Sequence, residues 1–311
     1  MKHNNPNITA RVIADSLNTC GNRLTSLVIT LPRIVLAEFN THRAISRNSA
    51  SSRAIPLKKM VDQVMTNPFI PTAYQKEHKG MQGTEYFSED EATALSLKIQ
   101  WLDARNYAVH RAKQLSERGL TKQLCNRLLE PFMMHTIIST ATEWENFIAL
   151  RAHDQAEIHI QDAAYKVLDA LNNSKPTLLQ PGEWHIPFGD NINEAKFKDI
   201  FDYDKTLDLW CWDLTGPERF DSNHIKTMIA VARCARVSYM NFEGKDDYAA
   251  DIKLFNILKE SGHMSPFEHV AQALPYDKQS GNFIGFEQYR KTIEGESKSD
   301  DRLIKYFVKS V

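Results

Sequence analysis

Residues 41–53 form a short basic segment whose side chains could do chemistry. The segment reads THRAISRNSASSR and holds three arginines, one histidine, one asparagine and four serines, with no acidic residue. Arginine forks bind phosphate oxygens in pairs, and serine hydroxyls and loop N–H groups add further donors. The segment therefore predicts an anion-binding pocket, and Lys58 and Lys59 extend its positive field. A solvated basic loop and a nucleic-acid-binding loop are alternatives, although only Phe39 lies close by as a stacking platform.

A second set of polar residues lies between positions 127 and 158. Asn146 and Arg151 are five residues apart, so on one helix they would not share a face closely. They would still reach one pocket if the helix ends or bends near Arg151. His153 and Glu157 are four apart, which would permit a metal pair, but no third ligand is evident nearby. We therefore expect no metal site.

A third set comprises the stretches ARVSY (235–239) and SGHMSPFEH (261–269). His263, Glu268 and His269 would suit zinc binding or acid–base chemistry. A Gly-His-x-Ser-Pro turn is also a common capped start of a loop, and these residues alone leave both interpretations open.

Together the three sets resemble the flavin-dependent thymidylate synthases. The hallmark of that family is an Arg-His-Arg segment followed by Ser and Arg in a fixed frame. Three further segments of this chain, residues 146–158, 235–238 and 263–269, also resemble segments of that family. Each motif alone is weak, but the set is specific and covers roughly residues 10–175 and 225–292. The hallmark matches here at His42, Arg43, Ser46, Asn48, Ser51 and Arg53.

The resemblance implies methylation of dUMP to dTMP with FAD as cofactor, methylenetetrahydrofolate as one-carbon donor and NADPH as reductant. Arg151 is the implied catalytic residue, which would lie against the uracil and polarise it. No Gly-x-Gly-x-x-Gly is present, so we do not expect the FAD on a Rossmann domain. The implied dUMP-binding residues are Ser49, Ala50, Ser51, Ser52, Arg53, Arg127 and Arg151, and the implied FAD-binding residues are Thr41, His42, Arg43, Asn146, His263 and Ser265.

The sequence also departs from the family pattern. Thr41 stands where the hallmark has its first Arg, Ser49 where it has Glu, and Ala54 where it has Tyr. The ARVSY and SPFEH stretches usually precede the hallmark but here follow it, which predicts a permuted chain. Two alternatives follow from these departures: flavin- and folate-dependent C5 hydroxymethylation of a pyrimidine nucleotide, and a non-catalytic nucleotide- or flavin-binding homologue.

The expected architecture is an α+β fold like that of the flavin-dependent thymidylate synthases. It has a central mixed or antiparallel sheet, long helices and a permuted C-terminal segment. We expect a catalytic core over residues 1–190, a connecting region over 191–223, and a C-terminal segment over 224–311 that packs on the core. Local patterns predict strands at 11–14, 25–30 and 270–274, and helices from Ser88 (with Glu91 completing a capping box) to Gly119, and at 122–134, 144–171, 225–237 and 249–261.

Charge and composition indicate which partners and which cellular compartment to expect. The 38 Lys and Arg nearly balance the 39 Asp and Glu, which argues against a nucleic-acid partner. The apolar stretch at residues 27–39 is too short to span a membrane, and the N-terminus lacks the apolar region of a signal peptide. The four cysteines form no CxxC pair, so we expect a cytoplasmic protein with reduced thiols. The resemblance further implies small-molecule partners, no membrane association, and a homotetramer with active sites shared between subunits.

Overall fold

The structure, a computed structural model, describes residues 5–80, 83, 85–88, 92–212, 217–237 and 247–296. Helices and several separate sheets fill these residues, which confirms the predicted α+β class. The chain divides into two compact units. Of the described residues, the first unit holds 5–12, 25–175 and 237, and the second holds 13–24, 176–236 and 247–296. The permuted motif order and the boundaries at 190 and 223 stay predictions.

Among the described residues, the first unit contains parts of four strands of a five-stranded sheet, in the order β3 (Ser46–Ser49), β4 (Met134–Ala141), β2 (Arg23–Pro32) and β1 (Thr9–Asn18). The strand β4 pairs antiparallel with both β2 and β3, and all eight of its residues are buried. A strand buried on both faces shows no alternation of apolar and polar residues, which is why the sequence pattern did not reveal it. The strands β1 and β2 confirm the two strands predicted in this part of the chain, and each contributes residues to both units.

The helix predicted at 122–134 is wrong beyond Arg127. Pro131 lies in the 3-10 turn Glu130–Phe132, because proline lacks the N–H that a continuing helix needs, and β4 follows at once. The helix predicted at 144–171 is two helices, since Glu157 begins a new one by accepting from the backbone N–H groups of His159 and Ile160. The long helix ends before Gly119 as predicted, whereas Glu91 lies outside the described residues. The helices of this unit are α1 (Leu36–Asn40), α2 (Leu57–Thr66), α3 (Ala92–Glu117), α4 (Lys122–Arg127), α5 (Glu145–Arg151) and α6 (Ile158–Asn173).

The second unit packs two helices against short strands. Its core contains Ile229 and Val231 from the first of these helices and Phe255 from the second, which confirms both predicted helices. The predicted strand at 270–274 is also confirmed as β9 (Ala271–Ala273), which lies between β12 (Phe286–Gln288) and β6 (Trp184–His185) in a three-stranded sheet. The elements are β5 (Thr177–Leu179), β6 (Trp184–His185), β7 (Asp202–Asp204), β8 (Leu209–Cys211), α7 (Ser222–Arg236), α8 (Tyr248–Glu260), β9 (Ala271–Ala273), β10 (Gln279–Ser280), β11 (Phe283–Ile284), β12 (Phe286–Gln288) and α9 (Tyr289–Thr292).

Among the residues described, no helix is both long enough and apolar enough to cross a membrane.

Candidate functional site

Four of the predicted site residues meet at the end of α5 in the first unit. The guanidinium of Arg151 donates from Nε to Nε2 of His42 at 3.0 Å and from Nη2 to Oγ1 of Thr41 at 3.3 Å. The side chain of Asn146 also hydrogen-bonds to the His42 ring. Residues from the basic segment and from α5 therefore form one connected cluster.

Packing of α5 explains why Asn146 and Arg151 reach the same imidazole. The buried Phe147 ring contacts Phe39 edge-on at 5.4 Å between centroids and His42 edge-on at 5.0 Å. This apolar contact presses α5 against the segment that follows α1. The helix then ends at Arg151, because Ala152 has left the helical region at φ −80° and ψ 50°. The condition under which Asn146 and Arg151 could reach one pocket, a helix that ends near Arg151, is therefore met.

His42 is held in its neutral form at this site. Only 6% of the residue is exposed, and this burial lowers the pKa of the imidazole, as do the positive charges of Arg151 and Arg47, against the opposing effect of the hydrogen bond with Asn146. Since arginine can only donate, Nε2 of His42 must accept, which places the ring proton on Nδ1. The cluster thus holds a fixed positive charge beside a neutral ring.

The rest of the basic segment is a strand followed by a turn. Residues Ser46–Ser49 pair with β4, and the N–H of Ala50 continues this pairing by donating to Thr136 at 3.0 Å. In the turn that follows, the carbonyl of Ser51 accepts from the N–H groups of Ala54 and Ile55. Sheet pairing therefore aligns the segment up to residue 50, and a tight turn presents the residues after it.

A buried asparagine fixes this turn to α4. The side-chain amide of Asn126 donates to the carbonyl of Ser52 at 2.6 Å and to that of Ile55 at 2.9 Å. Arg127 follows directly at the end of α4, and both Arg127 and Arg53 are exposed. Asn126 thus ties together the two segments that carry these guanidiniums. Sequence reasoning missed Asn126, because nothing in its local pattern distinguishes a buried anchor from an ordinary polar helix residue.

The remaining predicted FAD residues lie elsewhere. Arg43 is exposed in the turn before β3. His263 and Ser265 belong to the second unit, where the ring of His263 hydrogen-bonds to Ser261 at 2.8 Å and the backbone N–H of His263 donates to the carbonyl of Leu258. Ser265 begins the 3-10 turn Ser265–Glu268. The Gly-His-x-Ser-Pro stretch thus closes the end of α8.

The other polar residues of that third set have structural partners. Glu268 pairs with Arg290, and Arg236 of the ARVSY stretch pairs with the buried Asp251 at 2.7 Å. His269 is fully buried, and burial with the nearby His185 lowers its pKa to about 3. Ser238 and Tyr239 lie outside the described residues.

His153 and Glu157 have separate structural roles rather than a shared one. Glu157 caps α6 and hydrogen-bonds to His159, while Nδ1 of His153 accepts from the N–H of Gln155 at 3.2 Å. Across the described part of the chain, no group of three His, Cys, Asp or Glu side chains is placed to hold a metal ion.

Comparison with known proteins gives a distant resemblance. No protein-family model matches the sequence, and no curated protein matches it significantly. Among solved structures, a UMP/dUMP methylase, PolB from Streptomyces cacaoi bound with 5-Br dUMP, aligns with 54% of this chain and 91% of its own. The sequence identity is 14% and the TM-score is 0.43.

Proposed function

We propose that this protein is a FAD-dependent enzyme that methylates dUMP to dTMP, with methylenetetrahydrofolate as the one-carbon donor and NADPH as the reductant. One observation carries the proposal. Thr41, His42, Asn146 and Arg151, which the family resemblance assigns to one flavin and uracil site, are joined by hydrogen bonds between two distant segments. The alternative of a solvated basic loop is less consistent with the structure, because His42 is buried against α5 rather than exposed to solvent.

Arg151 is the proposed catalytic residue. Methylation at C5 requires the pyrimidine to become nucleophilic at that carbon, so negative charge develops on the uracil carbonyls. A guanidinium whose orientation is already fixed stabilises that charge without reorganising, and one such donor typically contributes roughly 3–4 kcal/mol. The contacts of Arg151 with His42 and Thr41 supply this fixed orientation.

The turn after β3 is the proposed binding site of the dUMP phosphate. Arg53 and Arg127 are exposed guanidiniums on two segments that Asn126 joins, and Ser49 and Ser51 are partly exposed hydroxyls. This donor set suits a phosphate dianion, since guanidiniums bind its oxygens bidentately. Ala50 and Ser52 are buried, so they would contribute through the backbone that shapes the turn.

The donor set near His42 fits an anionic cofactor such as FAD. Arg43 and Asn146 are exposed donors, and no acidic residue interrupts residues 41–53. These residues would hold the FAD together with Thr41 and His42, while the assignment of His263 and Ser265 to the FAD stays a prediction of the family resemblance. When bound, FAD supplies the redox and one-carbon chemistry, while the side chains supply binding and orientation.

The proposal extends to the assembly and its setting. We propose a cytoplasmic homotetramer with shared active sites that acts on small molecules and uses neither a membrane nor a nucleic acid. Light scattering on the purified protein tests the oligomer, and a monomer would contradict shared sites.

Spectroscopy of the purified protein tests the function. We expect oxidised flavin absorption, either as purified or after adding FAD, and faster anaerobic bleaching by NADPH when dUMP is present. Product analysis with methylenetetrahydrofolate should give dTMP, whereas a hydroxymethylated nucleotide would support the alternative reaction. A protein that retains no flavin and takes up none would refute the proposal.

A further inference from the structure

The guanidinium of Arg151 is held by two consecutive residues. Thr41 accepts from Nη2 through Oγ1 and donates its own hydroxyl proton to the carbonyl of Glu38 at 2.7 Å. His42 accepts from Nε at 3.0 Å. Two contacts on different nitrogens of a planar group fix both its position and its plane.

Thr41 suits this role where an arginine would not. Arginine offers donors only, so an arginine at position 41 could not accept from Arg151 and would place a second positive charge beside it. A threonine hydroxyl both accepts and donates, as it does here. The threonine that departs from the family hallmark therefore has a local function in this chain.

The imidazole of His42 serves as an acceptor only while it is neutral. The groups that face it are Arg151 and Asn146 from α5, the Phe147 ring from the same helix, and Arg47 from β3, which also donates to the His42 carbonyl at 2.7 Å. Two of these four groups carry positive charge, so a charged imidazole is disfavoured. Acidification would replace the Nε2 lone pair with a proton and drive Arg151 away.

We propose that His42 and Thr41 are positioning residues that hold the Arg151 guanidinium, His42 through its neutral Nε2 and Thr41 through its hydroxyl oxygen. The catalytic meaning of this arrangement rests on the proposed function, but the arrangement itself can be tested without substrate or cofactor.

The test is the rate at which phenylglyoxal modifies Arg151 in the full-length protein, measured by peptide mass spectrometry. Arg111 serves as the internal reference, because it is exposed on α3 and donates to Tyr107 and Gln114 of its own helix. In His42→Leu, which keeps the bulk but removes the acceptor, we expect the Arg151 rate relative to Arg111 to rise about fivefold, the factor of one ordinary hydrogen bond. In His42→Gln, whose carbonyl oxygen can take the place of Nε2, we expect the wild-type ratio.

A second pair of variants tests the other contact independently. Thr41→Val should raise the ratio and Thr41→Ser should restore it, and this pair decides the matter if His42→Leu fails to fold. An unchanged ratio in both His42→Leu and Thr41→Val would overturn the proposal, as would His42→Gln behaving like His42→Leu. In the wild type, lowering the pH until His42 protonates should raise the ratio while the fold is intact.

The outcomes separate this proposal from the proposed function. If the ratio responds as expected but the protein shows no flavin-dependent turnover, the positioning stands and the function fails. If the protein makes dTMP but the Arg151 to Arg111 rate ratio is the same in the wild type and in the variants at both positions, the proposed function is supported and the positioning proposal is rejected. At saturating FAD, a wild-type kcat in His42→Gln together with a lowered kcat in His42→Leu would show that the positioning of Arg151 contributes to turnover.

Discussion

Nε of Arg151 donates a hydrogen bond to Nε2 of His42 across 3.0 Å, although the two residues lie 109 positions apart in the chain. This contact joins the last residue of α5 to the basic segment after α1. It brings the proposed uracil-polarising charge to a neutral buried ring, and it gives the site a geometry that mutation can test.

Replacing Arg151 should lower turnover strongly without removing the cofactor. We expect Arg151→Ala to retain FAD and to lose at least a factor of roughly 100 in turnover, because the variant lacks the guanidinium proposed to polarise the uracil. Flavin absorbance and dTMP formation measure the two effects separately. Arg111→Ala removes an exposed guanidinium on α3 and should behave like the wild type. Unchanged turnover in Arg151→Ala would remove Arg151 from the mechanism.

Replacing Arg53 should weaken dUMP binding. A hydrogen bond to a charged group is worth roughly 1.5–3 kcal/mol, so Arg53→Ala should raise the Kd for dUMP roughly 10- to 150-fold. Isothermal titration measures the change. Lys58→Ala lowers the positive field nearby without removing the fork, and its effect should be small. Equal losses in the two variants would indicate a diffuse field rather than a phosphate contact.

Asn126 should matter for both stability and binding. Asn126→Leu keeps the volume but leaves the buried carbonyls of Ser52 and Ile55 without their side-chain donor, which typically costs roughly 1–3 kcal/mol. Urea unfolding should show this loss, and the affinity for dUMP should fall because the turn that carries Arg53 is no longer held. Gln123→Ala, at an exposed position of α4, is the control. A variant with wild-type stability and affinity would show that the turn holds its shape without Asn126.

Acid should destabilise the first unit through His135. Burial and the nearby charge of Arg33 lower the pKa of His135 to about 3, whereas the unfolded chain has an ordinary value of about 6.5. Protons therefore bind the unfolded state first as the pH falls. The stabilisation that depends on neutral His135 is complete above about pH 6.5 and falls by about 1.4 kcal/mol per pH unit towards pH 3.

Unfolding in urea at several pH values checks this dependence. His135→Gln cannot take up the proton, so its free energy of unfolding should fall less steeply between pH 6.5 and 5. His110→Gln, at an exposed position of α3, should leave the slope unchanged. Identical slopes in the wild type and His135→Gln would show that His135 does not control acid sensitivity. His185 and His269, whose pKa burial also lowers to about 3, would add a similar sensitivity in the second unit.

The sequence by itself determined which side chains are available for chemistry and most of the local structure. The residue types at 41–53 predict an anion site, and local sequence patterns correctly predicted β1, β2, α7 and α8. These patterns can be recognised in the sequence because they depend only on residues a few positions apart. The sequence did not predict the buried strand β4, because its uniform burial gives no alternation of apolar and polar residues. It predicts a helix that continues past Pro131 to residue 134 instead.

Only the tertiary structure decided which of the candidate residues contact one another. No local pattern links His42 to Arg151, because their contact depends on Phe147 packing against Phe39 and on α5 ending at Arg151. The same holds for Asn126, whose role exists only because α4 lies against the turn after β3. Residue types fix which hydrogen bonds are possible, whereas the burial of apolar side chains between distant segments selects the ones that form.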